Sequence, residues 1–219
     1  MHKTVQNLIA IENQLKSSLV DVDESNLPKI IAVSKTFKID KISPLIEHGH
    51  LHFGENKVQE AIDKWTEIKT NNTSIQLHMI GKLQTNKVKF AVKLFDYIHS
   101  VDSEKLAKKI ADEQLKVKRN IKIFIQVNIG DETQKSGINI NETNNLVVLC
   151  QKLNLNVVGF MCIPPTDADP AIYFKEMDKI TKINNFKQLS MGMSSDYLKA
   201  AQFNSTYLRI GSNIFGQRY

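Results

Sequence analysis

Eight short apolar runs alternate with helical patterns along the chain, and this alternation restricts the fold more than any other feature. The runs cover residues 30–35, 51–55, 76–80, 97–101, 121–129, 157–162, 188–191 and 207–210. Helical periodicity covers 39–49, 57–68, 85–94, 103–117, 142–153, 170–183 and 194–203, and a further amphipathic helix is predicted at about residues 2–19. Strict alternation of strand and helix predicts parallel strands joined by right-handed crossovers.

The number of these units favours a closed barrel. Nearly continuous apolar runs, such as residues 121–127, are typical of strands that are covered on both faces. Eight units can close into a (β/α)8 barrel, and 219 residues are near the short end for that fold. An open doubly wound sheet is the alternative. Since eight units leave no spare residues, we predict an α/β protein: a single (β/α)8 TIM barrel domain, residues 1–219, with an extra N-terminal helix.

The net charge of +6 raises nucleic-acid binding as an alternative. However, acids lie between the lysines of the predicted helix 103–117, as on a solvated outer face, and we find no nucleic-acid-binding motif. No apolar run has the length of a membrane span, and the N-terminus lacks a secretory signal. Cys150 and Cys162 form no C-x-x-C pair and are expected to be buried free thiols. We expect a cytoplasmic protein that binds neither nucleic acid nor membrane.

Lys35 is the first candidate functional residue, because it follows four apolar residues and a serine at the end of a predicted strand. In barrels of this type the active residues collect at the carboxyl ends of the strands. Partial desolvation there lowers the pKa of a lysine and leaves more free amine, which is the form that makes a Schiff base with an aldehyde. Position alone leaves open that Lys35 is an ordinary solvated lysine.

Glycine and serine follow the seventh and eighth predicted strands, in the segments 191–194 (Met-Gly-Met-Ser) and 209–212 (Arg-Ile-Gly-Ser). Glycine lets backbone N–H groups approach an anion, and these two loops commonly bind phosphate in this fold. The alternative is that these glycines serve turns only. A Schiff-base lysine together with a phosphate site predicts a phosphorylated aldehyde, and pyridoxal 5′-phosphate (PLP) is the common cofactor of that kind.

Seven segments carry recognisable motifs and follow one another over nearly the whole chain. They are 31–36 (Ile-Ala-Val-Ser-Lys-Thr), 53–56 (Phe-Gly-Glu-Asn), 78–81 (His-Met-Ile-Gly), 83–87 (Leu-Gln-Thr-Asn-Lys), 159–161 (Gly-Phe-Met), 189–196 (Leu-Ser-Met-Gly-Met-Ser-Ser-Asp) and 209–212. These motifs resemble those of the pyridoxal-phosphate homeostasis protein family. The resemblance implies a single barrel like the N-terminal domain of alanine racemase and a role in intracellular PLP (vitamin B6) homeostasis.

The resemblance also implies a set of cofactor-binding residues, and it assigns no catalytic residue. Lys35 matches the lysine that forms the Schiff base, and Asn56 matches a residue that lines the cofactor ring. Arg209 matches the arginine that faces the pyridine nitrogen. The phosphate-binding positions are matched by Ser194, Gly211 and Ser212.

Two considerations favour binding over catalysis. An arginine against the pyridine nitrogen disfavours protonation of the ring, which makes the ring a poorer electron sink. Racemisation also needs a second acid or base, which the related racemases take as a tyrosine from a second domain, and the predicted barrel uses the full length. The five tyrosines, none in an evident catalytic position, are Tyr97, Tyr173, Tyr197, Tyr207 and Tyr219. We predict a PLP carrier without strong turnover; a weak PLP-dependent amino-acid racemase is the alternative.

The candidate protein partners are PLP-dependent apo-enzymes that receive the cofactor, and we expect a monomer because the dimer contacts of a second domain are lacking. Lys57 and Lys82 stand where tyrosine and histidine are frequent in the family, which leaves the rim of the site open. His48, His50 and His52 raise a metal site, but His50 and His52 lie at the start of the second strand, away from the predicted site, so no metal is predicted. For His78, a place near the cofactor ring and a hydrogen-bonded place within the strand both remain open.

Overall fold

A closed barrel of parallel strands forms the centre of the computed structural model, which describes residues 1–20 and 22–217. The strands are β1 (Lys29–Val33), β2 (His52–Glu55), β3 (Gln76–Met79), β4 (Tyr97–Val101), β5 (Lys122–Asn128), β6 (Ile138–Asn139), β7 (Asn156–Cys162), β8 (Gln188–Met193) and β9 (Tyr207–Ile210). Eight of them pair in parallel around the barrel, and the two-residue β6 adds only to the end of β5. Pairing of β9 with β1, with Arg209 opposite Ile31, closes the ring. The predicted (β/α)8 fold is confirmed.

Helices cover the outside of the barrel. They are α1 (Lys3–Ser18), α2 (Ile39–Glu47), α3 (Val58–Asn71), α4 (Val88–Leu94), α5 (Glu104–Lys116), α6 (Thr143–Lys152), α7 (Pro170–Ile183), α8 (Tyr197–Gln202) and α9 (Ser212–Phe215). The extra N-terminal helix α1 packs beside α2, α8 and α9, and its Asn7 donates a hydrogen bond to the Ile214 carbonyl. No helix within the described ranges is both long and apolar enough to cross a bilayer.

Local chemistry explains where several helices begin. Ser103 caps α5, because its hydroxyl accepts a hydrogen bond from the backbone N–H of Leu106. Asp169 caps α7 in the same way, and Pro170 occupies the first turn, where its missing N–H is not needed. Each cap thus satisfies a backbone N–H group at the start of its helix that has no partner within the helix.

The structure corrects three predicted boundaries near the candidate site. The first strand was predicted to reach Lys35 but ends at Val33, because Thr36 adopts a φ of 68° that a strand cannot continue. The seventh predicted strand was expected to end at Met191 but continues to Met193, with a register shift against β9. The following helix was predicted from residue 194 but begins at Tyr197, since residues 194–196 form a turn.

The apolar residues divide into two clusters separated by the sheet. The larger lies between the strands and the helices and includes Trp65, whose ring lies 4.8 Å from that of Phe53. The smaller lies inside the barrel. Polar side chains also occupy the barrel interior, including His78 and His99, which are fully buried. Branched apolar side chains usually fill such an interior, so this barrel departs from the common pattern.

Candidate functional site

A cavity of about 570 Å³ opens at the carboxyl end of the barrel. All six residues proposed from the sequence line it: Lys35, Asn56, Ser194, Arg209, Gly211 and Ser212. The rest of the described lining consists of Val33, Ile80, Ile163, Met193, Ser195, Gly216 and Gln217. The fold therefore brings the six residues together.

Strand order explains why these residues meet. In the barrel β2, β1, β9 and β8 are consecutive neighbours. Asn56 directly follows β2, Lys35 lies two residues beyond β1, and Ser194 directly follows β8. Arg209 belongs to β9, and Gly211 follows that strand directly. Since the strands are parallel, their carboxyl ends share one rim of the barrel.

The backbone on both sides of Lys35 is fixed by side chains of β2 and α3. The hydroxyl of Ser34 donates to Glu55 Oε1 at 2.8 Å, and Lys64 Nζ donates to the Ser34 carbonyl at 2.9 Å. Beyond Lys35, the N–H of Thr36 donates to Glu60. Lys64 also pairs with Glu55 at 2.8 Å and with Glu60 at 3.1 Å, so the buried charges compensate each other.

Sequence reasoning missed Glu60 and Lys64. Their spacing of four residues on a predicted helix was an available signal for an ion pair. Nothing in that spacing says that the pair turns inward and reaches the strand that carries Lys35. This contact appears only once α3 packs against the barrel.

Asn56 is set in place by a close approach of two loops. A Cβ atom on Gly81 would lie 2.5 Å from the Asn56 carbonyl oxygen and 2.9 Å from its Cβ. Any other residue at position 81 would therefore displace Asn56. The His-Met-Ile-Gly motif thus supports the site through its glycine.

On the opposite side of the cavity, backbone donors converge on one oxygen. Ser194 Oγ accepts from the N–H of Gly211 at 3.3 Å and from that of Asn213 at 3.5 Å. The Asn213 side chain in turn donates to the Ser194 carbonyl at 2.9 Å, and the N–H of Met193 donates to Asp196 at 2.6 Å. Asn213 was not proposed from the sequence, because its contact joins two loops that are 19 residues apart.

Arg209 is 4% exposed and holds the inner wall of the cavity. Its Nη1 donates to Ser190 Oγ and its Nη2 to the Cys162 carbonyl, both at 2.7 Å. Burial lowers the pKa of Arg209, but a guanidinium keeps its charge in proteins. Burial raises the pKa of the Cys162 thiol to about 12, so the neighbouring sulfur is an uncharged packing group.

The remaining candidates of the sequence analysis lie elsewhere. Tyr97 and Tyr207 face each other inside the barrel with hydroxyls 3.1 Å apart, and Tyr197 donates to Gln14 on α1. Tyr173 belongs to α7, and Tyr219 lies outside the described residues. None of the four described tyrosines belongs to the cavity lining.

The histidines and the two atypical lysines also lie outside the cavity lining as described. His50 and His52 line a different cavity at the amino end of the barrel. His78 is buried between His52 and His99 and hydrogen-bonds to both, which favours the reading of it as a strand histidine. Lys57 and Lys82 share a groove of about 390 Å³ that borders the site at Asn56.

The donor set fits the cofactor expected from the sequence. PLP carries an aldehyde, a phosphate and a pyridine nitrogen, and these need an amine, several N–H donors and one further polar partner. Lys35 supplies the amine, the two loops supply the hydroxyls of Ser194 and Ser212 beside the Gly211 backbone, and Arg209 supplies a permanently charged donor. When bound, PLP would supply an electrophilic aldehyde at this rim.

Comparison with known proteins identifies the family. The family model for the N-terminal domain of alanine racemase matches residues 8–219. A pyridoxal phosphate homeostasis protein from Pasteurella multocida is 33% identical over 225 residues, with 97% of each chain covered. The protein of that name from Escherichia coli K12 is 31% identical, with 100% of this chain and 98% of the other covered.

Solved structures agree with this result. PipY from Synechococcus elongatus PCC7942, with PLP bound, matches with a TM-score of 0.85 at 30% identity, covering 97% of this chain and 100% of that chain. An alanine racemase from Clostridium difficile shares the fold, with a TM-score of 0.75 at 15% identity and 57% of that chain covered. The chain therefore belongs to the pyridoxal phosphate homeostasis protein family, and its barrel is of the alanine racemase N-terminal type.

Proposed function

We propose that this protein binds PLP reversibly as a Schiff base on Lys35 and serves PLP homeostasis by holding and releasing the cofactor, without strong turnover. The observation that carries the proposal is the composition of the cavity lining. It combines one lysine, a cluster of Ser194, Gly211 and Ser212 from two neighbouring loops, and one buried arginine. The PLP-bound PipY structure supports the choice of ligand.

The chemistry at Lys35 is a reversible condensation. The uncharged amine attacks the aldehyde carbon, a C=N bond replaces the C=O bond, and the oxygen leaves as water with the two amine protons. Hydrolysis reverses the condensation and consumes only the one water molecule that the condensation released. Reversibility suits a carrier, and the contacts of Ser34 and Thr36 hold the lysine backbone in place through both directions.

Arg209 favours holding the cofactor over activating it. A guanidinium remains protonated, so it can only donate a hydrogen bond to the pyridine nitrogen, which must then stay unprotonated to accept. An unprotonated ring withdraws electrons weakly, and carbanion chemistry at the bound cofactor is accordingly disfavoured. Arg209 is anchored for this role by Ser190 and the Cys162 carbonyl.

The lining also supports the carrier reading over the racemase alternative. Racemisation needs two groups that exchange protons on opposite faces of the substrate. In the part of the chain that the structure describes, the lining contains Lys35 but no carboxylate, imidazole, thiol or phenol.

The Schiff base is tested by trapping it. The purified protein mixed with PLP should show visible absorbance, and borohydride should fix the cofactor to one peptide containing Lys35. Lys35→Ala should abolish the trapped adduct, whereas Lys82→Ala, at a lysine of the neighbouring groove, should retain it. A Lys35→Ala protein that still carries the same adduct on another residue would overturn the assignment.

The absence of strong turnover needs a separate measurement. Sensitive assays of racemisation across the amino acids should detect no sustained product formation by the loaded protein. Sustained racemisation that disappears in Lys35→Ala would establish the enzyme instead. Transfer to a PLP-dependent apo-enzyme should be followed by its recovered activity, with an equal amount of free PLP as the reference.

We also propose a cytoplasmic monomer. The two cysteines, Cys150 and Cys162, are free and buried, which supports a reducing compartment. Exposed large apolar side chains such as Leu115 and Ile172 lie on different helices, as is usual for a monomer surface. Light scattering coupled to size exclusion measures the mass directly, and a dimer mass would refute the monomer.

A further inference from the structure

A continuous chain of hydrogen bonds crosses the inside of the barrel and ends on Arg209. His52 Nδ1 lies 3.0 Å from His78 Nε2, and His78 Nδ1 lies 2.9 Å from His99 Nε2. His99 Nδ1 lies 2.9 Å from Ser190 Oγ, which accepts from Arg209 Nη1 at 2.7 Å. The chain thus connects β2, β3, β4, β8 and β9 in one line.

The polar groups of this chain are buried, so each of them needs a hydrogen-bond partner. His78, His99 and Ser190 are 0% exposed, and an unpaired polar group at such depth would be strongly unfavourable. Aromatic neighbours hold the ring planes: His78 stacks on Tyr97 and His99 on Phe124, each with ring centroids 4.3 Å apart. Both imidazoles therefore sit in fixed orientations.

Arg209 gives the chain a direction. A guanidinium only donates, so Ser190 Oγ must accept from it. In the described contacts His99 Nδ1 is the one other partner of this buried hydroxyl, so the hydroxyl proton of Ser190 finds its acceptor there. His99 consequently carries its proton on Nε2 and donates to His78 Nδ1. By the same step, His78 carries its proton on Nε2 and donates to His52 Nδ1. This arrangement uses every donor from Ser190 to His78.

The electrostatics agree with neutral rings. Burial, and then the charge of Arg209, lower the pKa of His99 well below its usual value. Burial and the neighbouring His99 and His52 do the same for His78. A neutral imidazole has one donor and one acceptor nitrogen, which is the pattern that a directional chain requires.

We infer that His52, His78, His99 and Ser190 form a positioning relay that orients the guanidinium of Arg209 toward the cofactor ring. This role rests on the proposed PLP site, whereas the direction of the chain is a property of the protein alone. The relay holds Nη1 of the guanidinium and the Cys162 carbonyl holds Nη2, so the remaining N–H bonds can point to the ligand. It also extends the support of the site to His52, which lines the cavity at the opposite end of the barrel.

The direction of the relay can be measured without cofactor. Nitrogen NMR of the histidine side chains in the full-length protein should show His78 and His99 as neutral rings protonated on Nε2. A proton on Nδ1 of either ring, or a charged ring near neutral pH, would overturn the inference. This readout stands even if PLP does not bind Lys35.

The effect on the site is measured with matched variants of the loaded protein. His99→Phe keeps a ring against Phe124 but removes both nitrogens, and His99→Gln restores one donor and one acceptor. His50→Gln is the control, because His50 is close by but bonds only to backbone in the described contacts, including the His52 carbonyl. Loss of a hydrogen bond to a charged group corresponds to about tenfold or more in an equilibrium constant.

We expect Ser190→Ala to weaken PLP binding by about tenfold and to shift the visible absorbance of the Lys35 adduct. His99→Phe should shift the absorbance in the same direction but by less. His99→Gln should return the absorbance toward the wild-type value, and His50→Gln should leave it unchanged. Suppose that borohydride traps PLP on Lys35 of the wild-type protein. The relay is then refuted if all four variants bind PLP with the wild-type affinity and show the wild-type absorbance. If wild type itself is not trapped there, the proposed function fails, and the NMR result alone decides the relay.

Discussion

Acid should unfold this protein early, because four of its histidines are buried as neutral rings. Burial lowers the pKa values of His50 and His52 to about 4 and those of His78 and His99 well below the ordinary value. The unfolded chain titrates its histidines near pH 6.5. Between these values the unfolded state binds protons that the folded state does not. Stability is therefore complete above about pH 6.5 and is lost as the pH falls toward 4.

The size of the loss follows from the same values. At pH 5, about 1.5 units below the unfolded pKa, each such histidine reduces the free energy of unfolding by about 2 kcal/mol. Four of them together would remove at most about 8 kcal/mol, which is comparable to the whole stability of an ordinary domain. Carboxylates add little to the loss above pH 5, because a lowered pKa such as that of Glu113, about 2, reduces stability only once the pH falls through the unfolded value of about 4.3. The buried histidines should therefore account for most of the fall in the free energy of unfolding between about pH 6.5 and pH 5.

The assay is urea unfolding at several values between about pH 8 and pH 5, at constant ionic strength, with the free energy of unfolding extrapolated at each pH. His50→Gln should remove about one quarter of the pH-dependent loss, because one of the four rings no longer takes up a proton on unfolding. His48→Gln, at an exposed histidine close by in the chain, is the matched control and should keep the wild-type loss.

A free energy of unfolding that is the same at pH 8 and pH 5 would refute the reasoning. It would mean that the interior rings are already protonated in the folded protein. The neutral, directional relay would then be wrong as well. A loss that His50→Gln leaves unchanged would contradict the neutral burial of that ring and leave only the other three.

Three further outcomes follow from the described contacts. Gly159→Ala should destabilise the fold by about 2–3 kcal/mol or more in chemical denaturation, because its Cβ would lie 1.7 Å from the Gln188 carbonyl oxygen; wild-type stability would contradict this. Ser194→Ala should weaken PLP binding by about tenfold in a fluorescence titration, since the oxygen on which two loop N–H groups converge is lost; unchanged affinity would remove it from the phosphate site. Burial raises the pKa of Cys150 and Cys162 to about 12, so a thiol reagent should label neither in native protein and both after unfolding; a native thiol that reacts quickly would refute their burial.

The architecture was predictable because it depends on patterns that lie within short segments. Strand and helix periods alternate visibly, and parallel connections of one hand leave few topologies. The boundary at Lys35 was not predictable, since the turn relies on a threonine, Thr36, in a conformation that usually needs glycine or asparagine. The contact of its N–H with Glu60 supports that conformation from another element.

The site was predictable to the extent that its residues directly follow strands. Lys35, Asn56 and Ser194 could be found this way, because parallel strands bring their carboxyl ends to one rim. The residues that hold them could not. Lys64 and Asn213 act across gaps of 30 and 19 residues, and no local pattern shows which distant group each one reaches.

His78 shows why the interior was the hardest part to predict. From the sequence alone, a place beside the cofactor and a place inside the strand were equally open. The choice depends on His52 and His99, which lie on neighbouring strands and meet His78 only when the barrel closes. Three histidines at inward positions of consecutive strands were the available signal, and it becomes readable only after the strand order is known.

The interior histidines tie two properties of the protein together. A barrel filled with branched apolar residues would be less sensitive to acid, because it would bury no group that the unfolded chain protonates. It would also leave Ser190 without a partner beyond Arg209, and the guanidinium would lose part of its anchor. Replacing His78 with leucine should therefore improve stability at pH 5 relative to pH 8 while weakening PLP binding. If the leucine variant gained stability at pH 5 and also bound PLP more tightly, the polar interior would not serve the cofactor site.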